Sequence, residues 1–129
     1  MVEGIPNLSY LPNTPDIRSV YSQTGILIIP SECESWGRVG VEAMASGIPV
    51  IAHPTEGLKE SLSYAGLYCD REKVEDWVEM IRALDNPDFR REVSDKCLQR
   101  SRELDPARGL AEFAQFIDEI LLNQLSAQD

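Results

Sequence analysis

The sequence predicts a doubly wound α/β domain, one in which helices cover both faces of a parallel sheet. Three observations predict it: short apolar runs bounded by turn residues, helical stretches between and after them with one apolar side, and cap residues followed by proline where helices would begin. Leu8 to Leu11, Gly25 to Pro30 and Pro49 to His53 read as strands, and Gly66 to Cys69 as a weaker fourth. Ile26 to Ile29 and Val50 to Ala52 are apolar at consecutive positions, so both faces of those strands are expected to be covered, as in a parallel sheet.

Helices are expected in the intervals. Thr14-Pro15, Asn86-Pro87 and Asp105-Pro106 each place a capping side chain before a proline that suits the first helical position. Between Asp70 and Asp85, the residues Val74, Trp77, Val78, Ile81 and Leu84 recur at helical spacing and should pack on a sheet. The last segment repeats the pattern with Leu110, Phe113, Ala114, Ile117, Ile120, Leu121 and Leu125. Phe116 and Leu122 lie off that stripe and suggest a second packing partner. The order is strand, helix, strand, helix, strand, helix, short strand and three helices, with no repeat or linker to interrupt it. At 129 residues the chain is read as one domain, 1–129.

Hydrophobic residues make up 43% and charged residues 26%, the balance of an ordinary folded protein. The formal charge of −10 argues against nonspecific partners such as nucleic acid or anionic lipid, which need clustered Lys and Arg. No basic segment followed by an apolar run opens the chain, and no apolar stretch reaches membrane-spanning length, so a cytoplasmic location with no transmembrane segment is expected. Cys33, Cys69 and Cys97 are too widely spaced for a disulfide framework or a Cys-x-x-Cys metal site and read as reduced, mostly buried thiols.

In such sheets the ligand crevice lies beyond the carboxyl ends of the strands, which points to the loops after Leu11, Pro30 and His53. The loop after Pro30 is the informative one. A helix starting near Gly37 leaves Glu34 in the loop and Glu42 in the second turn, leaning back toward the helix N-terminus, so both can face one ligand. Backbone N–H groups near Arg38 and Val39 can hold a diphosphate, Gly37 lets the backbone approach closely, and carboxylates accept hydrogen bonds from vicinal hydroxyls. A ligand with both phosphate and polyol parts fits that pattern.

The same stretch resembles the Glu-x7-Glu signature of the group-one retaining glycosyltransferases. The motif's start stands here as Glu34-Ser35-Trp36-Gly37 and its end as Glu42-Ala43-Met44-Ala45-Ser46-Gly47-Ile48-Pro49-Val50. Tyr21 and Pro30-Ser31 before the motif also fit, and Glu56-Gly57-Leu58-Lys59-Glu60 is similar to the family's later Gly-Gly-x-Pro-Glu turn. The resemblance covers nearly the whole chain. It implies a Rossmann-like sheet forming part of the C-terminal domain of a GT-B enzyme, with a nucleoside diphosphate sugar as donor substrate and no metal or other cofactor.

Residue by residue, the resemblance implies that Glu42 binds ribose hydroxyls and Glu34 the transferred sugar. Ser35, Trp36 and Gly37 would line the sugar pocket, Arg38 and Val39 would present N–H groups to the diphosphate, and Leu11 to Asn13 would approach the base. No residue is assigned a catalytic role. Ser35 and Trp36 stand where the family has Gly and Phe, and Glu56 and Lys59 where it has Gly and Pro. The family's upstream basic residues, its first two sheet strands and its N-terminal acceptor domain have no counterpart in the chain. The expected function is therefore donor binding for hexosyl transfer to a hydroxyl acceptor, with little activity from this part alone and the acceptor domain supplied in cis or in trans.

Competing readings are a nonenzymatic nucleotide-sugar-binding module, a subunit of a split transferase, and a different nucleotide-binding α/β protein. The absent strands and the two-sided last helix predict an exposed apolar surface on which a homodimer could form. His53 reads as a hydrogen-bonded structural residue, Cys33 as buried filler, and Trp36 equally as a sugar platform or a loop anchor.

Overall fold

The computed structural model describes residues 5–126, with side chains described as far as residue 120. Three parallel strands form one sheet in the order β1-β2-β3, with β1 at Leu27–Ile29, β2 at Val50–Ala52 and β3 at Leu67–Tyr68. Ile51 of β2 stands opposite both Ile28 and Leu67, and Ala52 opposite Ile29 and Tyr68. Helix α1 (Ile17–Ser22) precedes the sheet, α2 (Arg38–Ala45) joins β1 to β2, and α3 (Glu56–Leu62) with a 3-10 turn joins β2 to β3. Helices α4 (Val74–Ala83), α5 (Pro87–Glu103) and α6 (Pro106–Ser126) complete the order.

Strand β2 is buried along its whole length, which its uninterrupted apolar sequence predicts for a central parallel strand. Its side chains join Ala43 and Met44 of α2, Leu58 and Leu62 of α3, and Val93 and Cys97 of α5 in one core. Trp77 and Leu84 close that core from the α4 segment, and the Trp77 indole N–H donates to the Asp70 carbonyl at 2.8 Å. The rest of the expected α4 stripe is graded: Ile81 is half-buried, while Val74 and Val78 are exposed.

Helix α2 stops in a Schellman motif. Gly47, at φ 70°, donates to the Met44 carbonyl and Ile48 to the Ala43 carbonyl, which turns the chain directly into Pro49 and β2. Helix α5 packs across α2, and the Ser94 hydroxyl ties the two by donating to the Gly47 carbonyl at 2.7 Å. The start signals at Asn86-Pro87 and Asp105-Pro106 hold: Asn86 Oδ1 accepts from the N–H groups of Asp88 and Phe89, and Asp105 Oδ1 from that of Ala107.

Four expectations need correction. Leu8 to Leu11 forms no strand; Leu8, Tyr10 and Leu11 are exposed, and no described strand lies alongside to take up the backbone hydrogen bonds. Helix α1 is capped by Asp16 rather than Thr14, since Asp16 Oδ1 accepts from Ser19 N–H while Thr14 Oγ1 accepts from Asp16 N–H. Ile28 is 44% exposed, because β1 is a sheet edge with one face uncovered among the described residues. The α6 stripe is not covered by the described residues: Leu110, Phe113, Ile117 and Ile120 are exposed, as is Phe116 off the stripe, so the expected apolar surface lies there. Leu121, Leu122 and Leu125 fall outside the residues whose side chains are described.

Candidate functional site

The chain leaves β1 at Ile29 and crosses the strand end as a loop from Pro30 to Gly37 before entering α2. Gly37 makes the turn at φ 72°, in the left-handed region that costs glycine nothing. Its carbonyl accepts from Gly40 N–H at 2.9 Å and from Val41 N–H at 3.3 Å, which starts the helix. Arg38 and Val39 then occupy the first helical positions, where backbone N–H groups have no intrahelical acceptor. Among the described residues neither N–H finds another partner.

Glu34 lies in the loop before α2 and Glu42 within the helix. Glu34 is half-buried in the loop and its side chain makes no hydrogen bond or ion pair among the described residues. Ser35 beside it is exposed, and Trp36 is 36% exposed, on the boundary between a platform and an anchor. Glu42 lies one turn into α2 and leans toward α1, where the Tyr21 phenol donates to Glu42 Oε2 at 2.9 Å. The Arg38 guanidinium approaches Glu42 Oε1 at 3.7 Å, but with 85% of its side chain exposed the pair is loose and screened by water. Val39 is exposed on the same turn.

Burial, the hydrogen bond to Glu42 and the charge of that carboxylate push the Tyr21 phenol up to about 12. The tyrosine therefore remains a donor at neutral pH.

Neighbouring elements brace the loop. Gly57, in the first turn of α3, lies flat against the Glu34 and Ser35 backbone, with no room for a side chain between them. Arg71, in the loop after β3, reaches Glu32 at 2.9 Å and Glu72 at 3.1 Å and so spans two strand-end loops. His53 Nδ1 accepts from Arg71 N–H at 3.2 Å, in agreement with its structural reading. Cys33 is exposed rather than buried, because the loop that carries it runs over the surface above the strand ends. Cys69 and Cys97 are buried.

An open groove of about 870 Å³ runs between α1, the C-terminal end of α2 and the start of α5. Glu42 and Tyr21 stand on its wall, while Glu34 to Val39 do not line it. Leu11 and Pro12 line a separate hollow with Gln23 and Thr24. Tyr21 and Gly57 lie in segments that fit the resemblance, yet the sequence assigns neither them nor Arg71 a role, since each acts on the motif from a distant point in the chain.

The model for "Glycosyl transferases group 1" matches residues 3–100, three quarters of the chain, and spans every element just described from α1 to α4. The chain belongs to this family. An uncharacterized glycosyltransferase of Haemophilus influenzae is 31% identical over 70% of this chain and 27% of its own length. A D-inositol 3-phosphate glycosyltransferase of Corynebacterium kroppenstedtii is 40% identical over 62% of this chain and 18% of its own.

Among solved structures, the sucrose-phosphate synthase of Thermosynechococcus elongatus superposes with a TM-score of 0.69 at 25% identity, over 81% of this chain and 27% of that one. The parallel sheet of this glycosyltransferase chain is thus a Rossmann-like portion of a GT-B fold. The chain spans about a quarter or less of the length of these relatives. No helix among the described residues is long and apolar enough to cross a membrane.

Proposed function

We propose that this chain recognises the nucleoside diphosphate sugar donor of a retaining hexosyltransferase. The observation that supports the reading is the pair of N–H groups of Arg38 and Val39 at the start of α2, without a partner among the described residues, with the Glu42 carboxylate one turn further on. Helix-end N–H groups and the helix dipole attract the charge of a diphosphate, and an ionised carboxylate accepts from hydroxyls. A nucleoside diphosphate sugar presents both kinds of group at once.

In this reading Glu42 accepts from the ribose hydroxyls and Glu34 from those of the hexose. Ser35, Trp36 and Gly37 line the sugar, largely through backbone, and Leu11 to Asn13 approaches the base. Transfer breaks the bond between the anomeric carbon and the diphosphate oxygen and forms one to an acceptor hydroxyl oxygen on the same face, with loss of the hydroxyl proton. The leaving group takes the bonding electron pair as it departs, and donors preorganised at the start of α2 stabilise that growing charge. The reading assigns no metal and no cofactor. It leaves the acceptor, and the basic residues that complete charge neutralisation, to another part of the protein in cis or in trans, so this part alone is expected to have little or no transferase activity.

The test is amide chemical-shift mapping of the chain with UDP, GDP and ADP. One base type should move the Arg38 and Val39 resonances saturably, together with the Glu42 neighbourhood. Shifts confined to the groove beside α5, or none, would contradict the reading.

A further inference from the structure

We infer that Tyr21 is a positioning residue for donor recognition, holding the Glu42 carboxylate so that its second oxygen meets the ribose. The inference rests on the donor-site reading and adds to it a residue from a different helix. Tyr21, in the last turn of α1, packs half-buried against the core and sends its hydroxyl to Glu42 Oε2 at 2.9 Å. The same hydroxyl stands 3.5 Å from the Val39 carbonyl. One phenol thus touches both the residue that would bind ribose and a residue whose N–H would bind diphosphate.

An unrestrained glutamate on a helix surface samples many rotamers and must be ordered when ligand binds. Tyr21 removes that cost in advance, because its ring is anchored by packing and its hydroxyl stays protonated at neutral pH. The oxygen left over is Oε1, whose nearest described cation is Arg38 at 3.7 Å, exposed and loosely held. A ribose hydroxyl can take that oxygen while Arg38 swings away. Tyr21 itself need not touch the nucleotide.

The inference predicts discrimination between ribose and deoxyribose, which a purely structural tyrosine would not control. Dissociation constants are measured for the unsubstituted chain, Tyr21→Phe and Glu42→Ala with UDP, GDP and ADP and with their 2′-deoxy counterparts, after circular dichroism verifies that each variant is folded. The unsubstituted chain should favour the ribonucleotide of its preferred base. Tyr21→Phe should cut that preference by roughly two- to tenfold, its loss falling mainly on the ribonucleotide, and Glu42→Ala should abolish it. An equal loss for ribo and deoxy forms in Tyr21→Phe would mean a structural role and overturn the inference. Preference intact in Tyr21→Phe but lost in Glu42→Ala would overturn it while leaving the donor-site reading standing. Preference intact in both variants, or no binding by the unsubstituted chain, would overturn both.

Discussion

The α-carbon of Gly57 faces the carbonyl of Glu34 so closely that a β-carbon there would overlap the Glu34 and Ser35 backbone. Helix α3 is thereby pressed against the loop that carries the motif. Alanine for glycine inside a helix ordinarily stabilises by up to about 1 kcal/mol, so propensity alone favours Gly57→Ala. The obstacle is main chain rather than a flexible side chain, and the collision should win. We expect Gly57→Ala to lower stability by about 1–3 kcal/mol, read from denaturant unfolding, and to displace the resonances of Glu34 and Ser35.

Thiol reactivity should separate the three cysteines. Cys33 lies exposed in the strand-end loop, whereas Cys69 and Cys97 are buried and burial pushes both thiols up. A chromogenic disulfide reagent at neutral pH should therefore titrate one thiol rapidly in the native protein and all three after denaturation. Cys33→Ser should remove the fast phase. Two fast thiols in the native protein would contradict the placement of the core.

Alkaline pH should destabilise the fold before any acid-side effect of these groups. Burial raises the Cys97 thiol from 9.0 to about 11. The Tyr21 phenol is raised from 10.0 to about 12 by burial and by Glu42. Each group is neutral in both states below its unfolded value, so its contribution is fully present there. As pH climbs, the unfolded chain ionises first and the contribution is lost up to the folded value. Denaturation midpoints should fall from about pH 9 to about pH 12, and Tyr21→Phe should flatten the upper half of that fall. A flat profile in the unsubstituted protein would contradict the burial of these groups.

Features encoded by near neighbours in the chain were legible from the sequence. Gly47-Ile48-Pro49 forms the turn out of α2, Asn86 and Asp105 sit at their helix starts, and Gly37 opens α2 with Glu34 before it and Glu42 one turn within. Features that depend on a distant partner were not. Leu8 to Leu11 has the composition of a strand, but strand geometry requires a neighbour to hydrogen-bond with, and none is described. The stripe of α6 and the outer face of Ile28 are apolar in the same way, and nothing local states what would cover them. Tyr21 reaches Glu42 across 21 positions, a distance over which no spacing rule operates. Cys33 departs from expectation for a related reason: small apolar side chains favour burial on average, yet the strand-end loop runs along the surface.

Isothermal titration of the purified chain with UDP, GDP, ADP and their sugar conjugates, in parallel with Glu42→Ala, tests donor recognition most directly. Saturable binding of one base type, weakened about tenfold or more by the substitution, is the result expected of a carboxylate that accepts from ribose. Binding of equal strength to both proteins, or to neither, would contradict it.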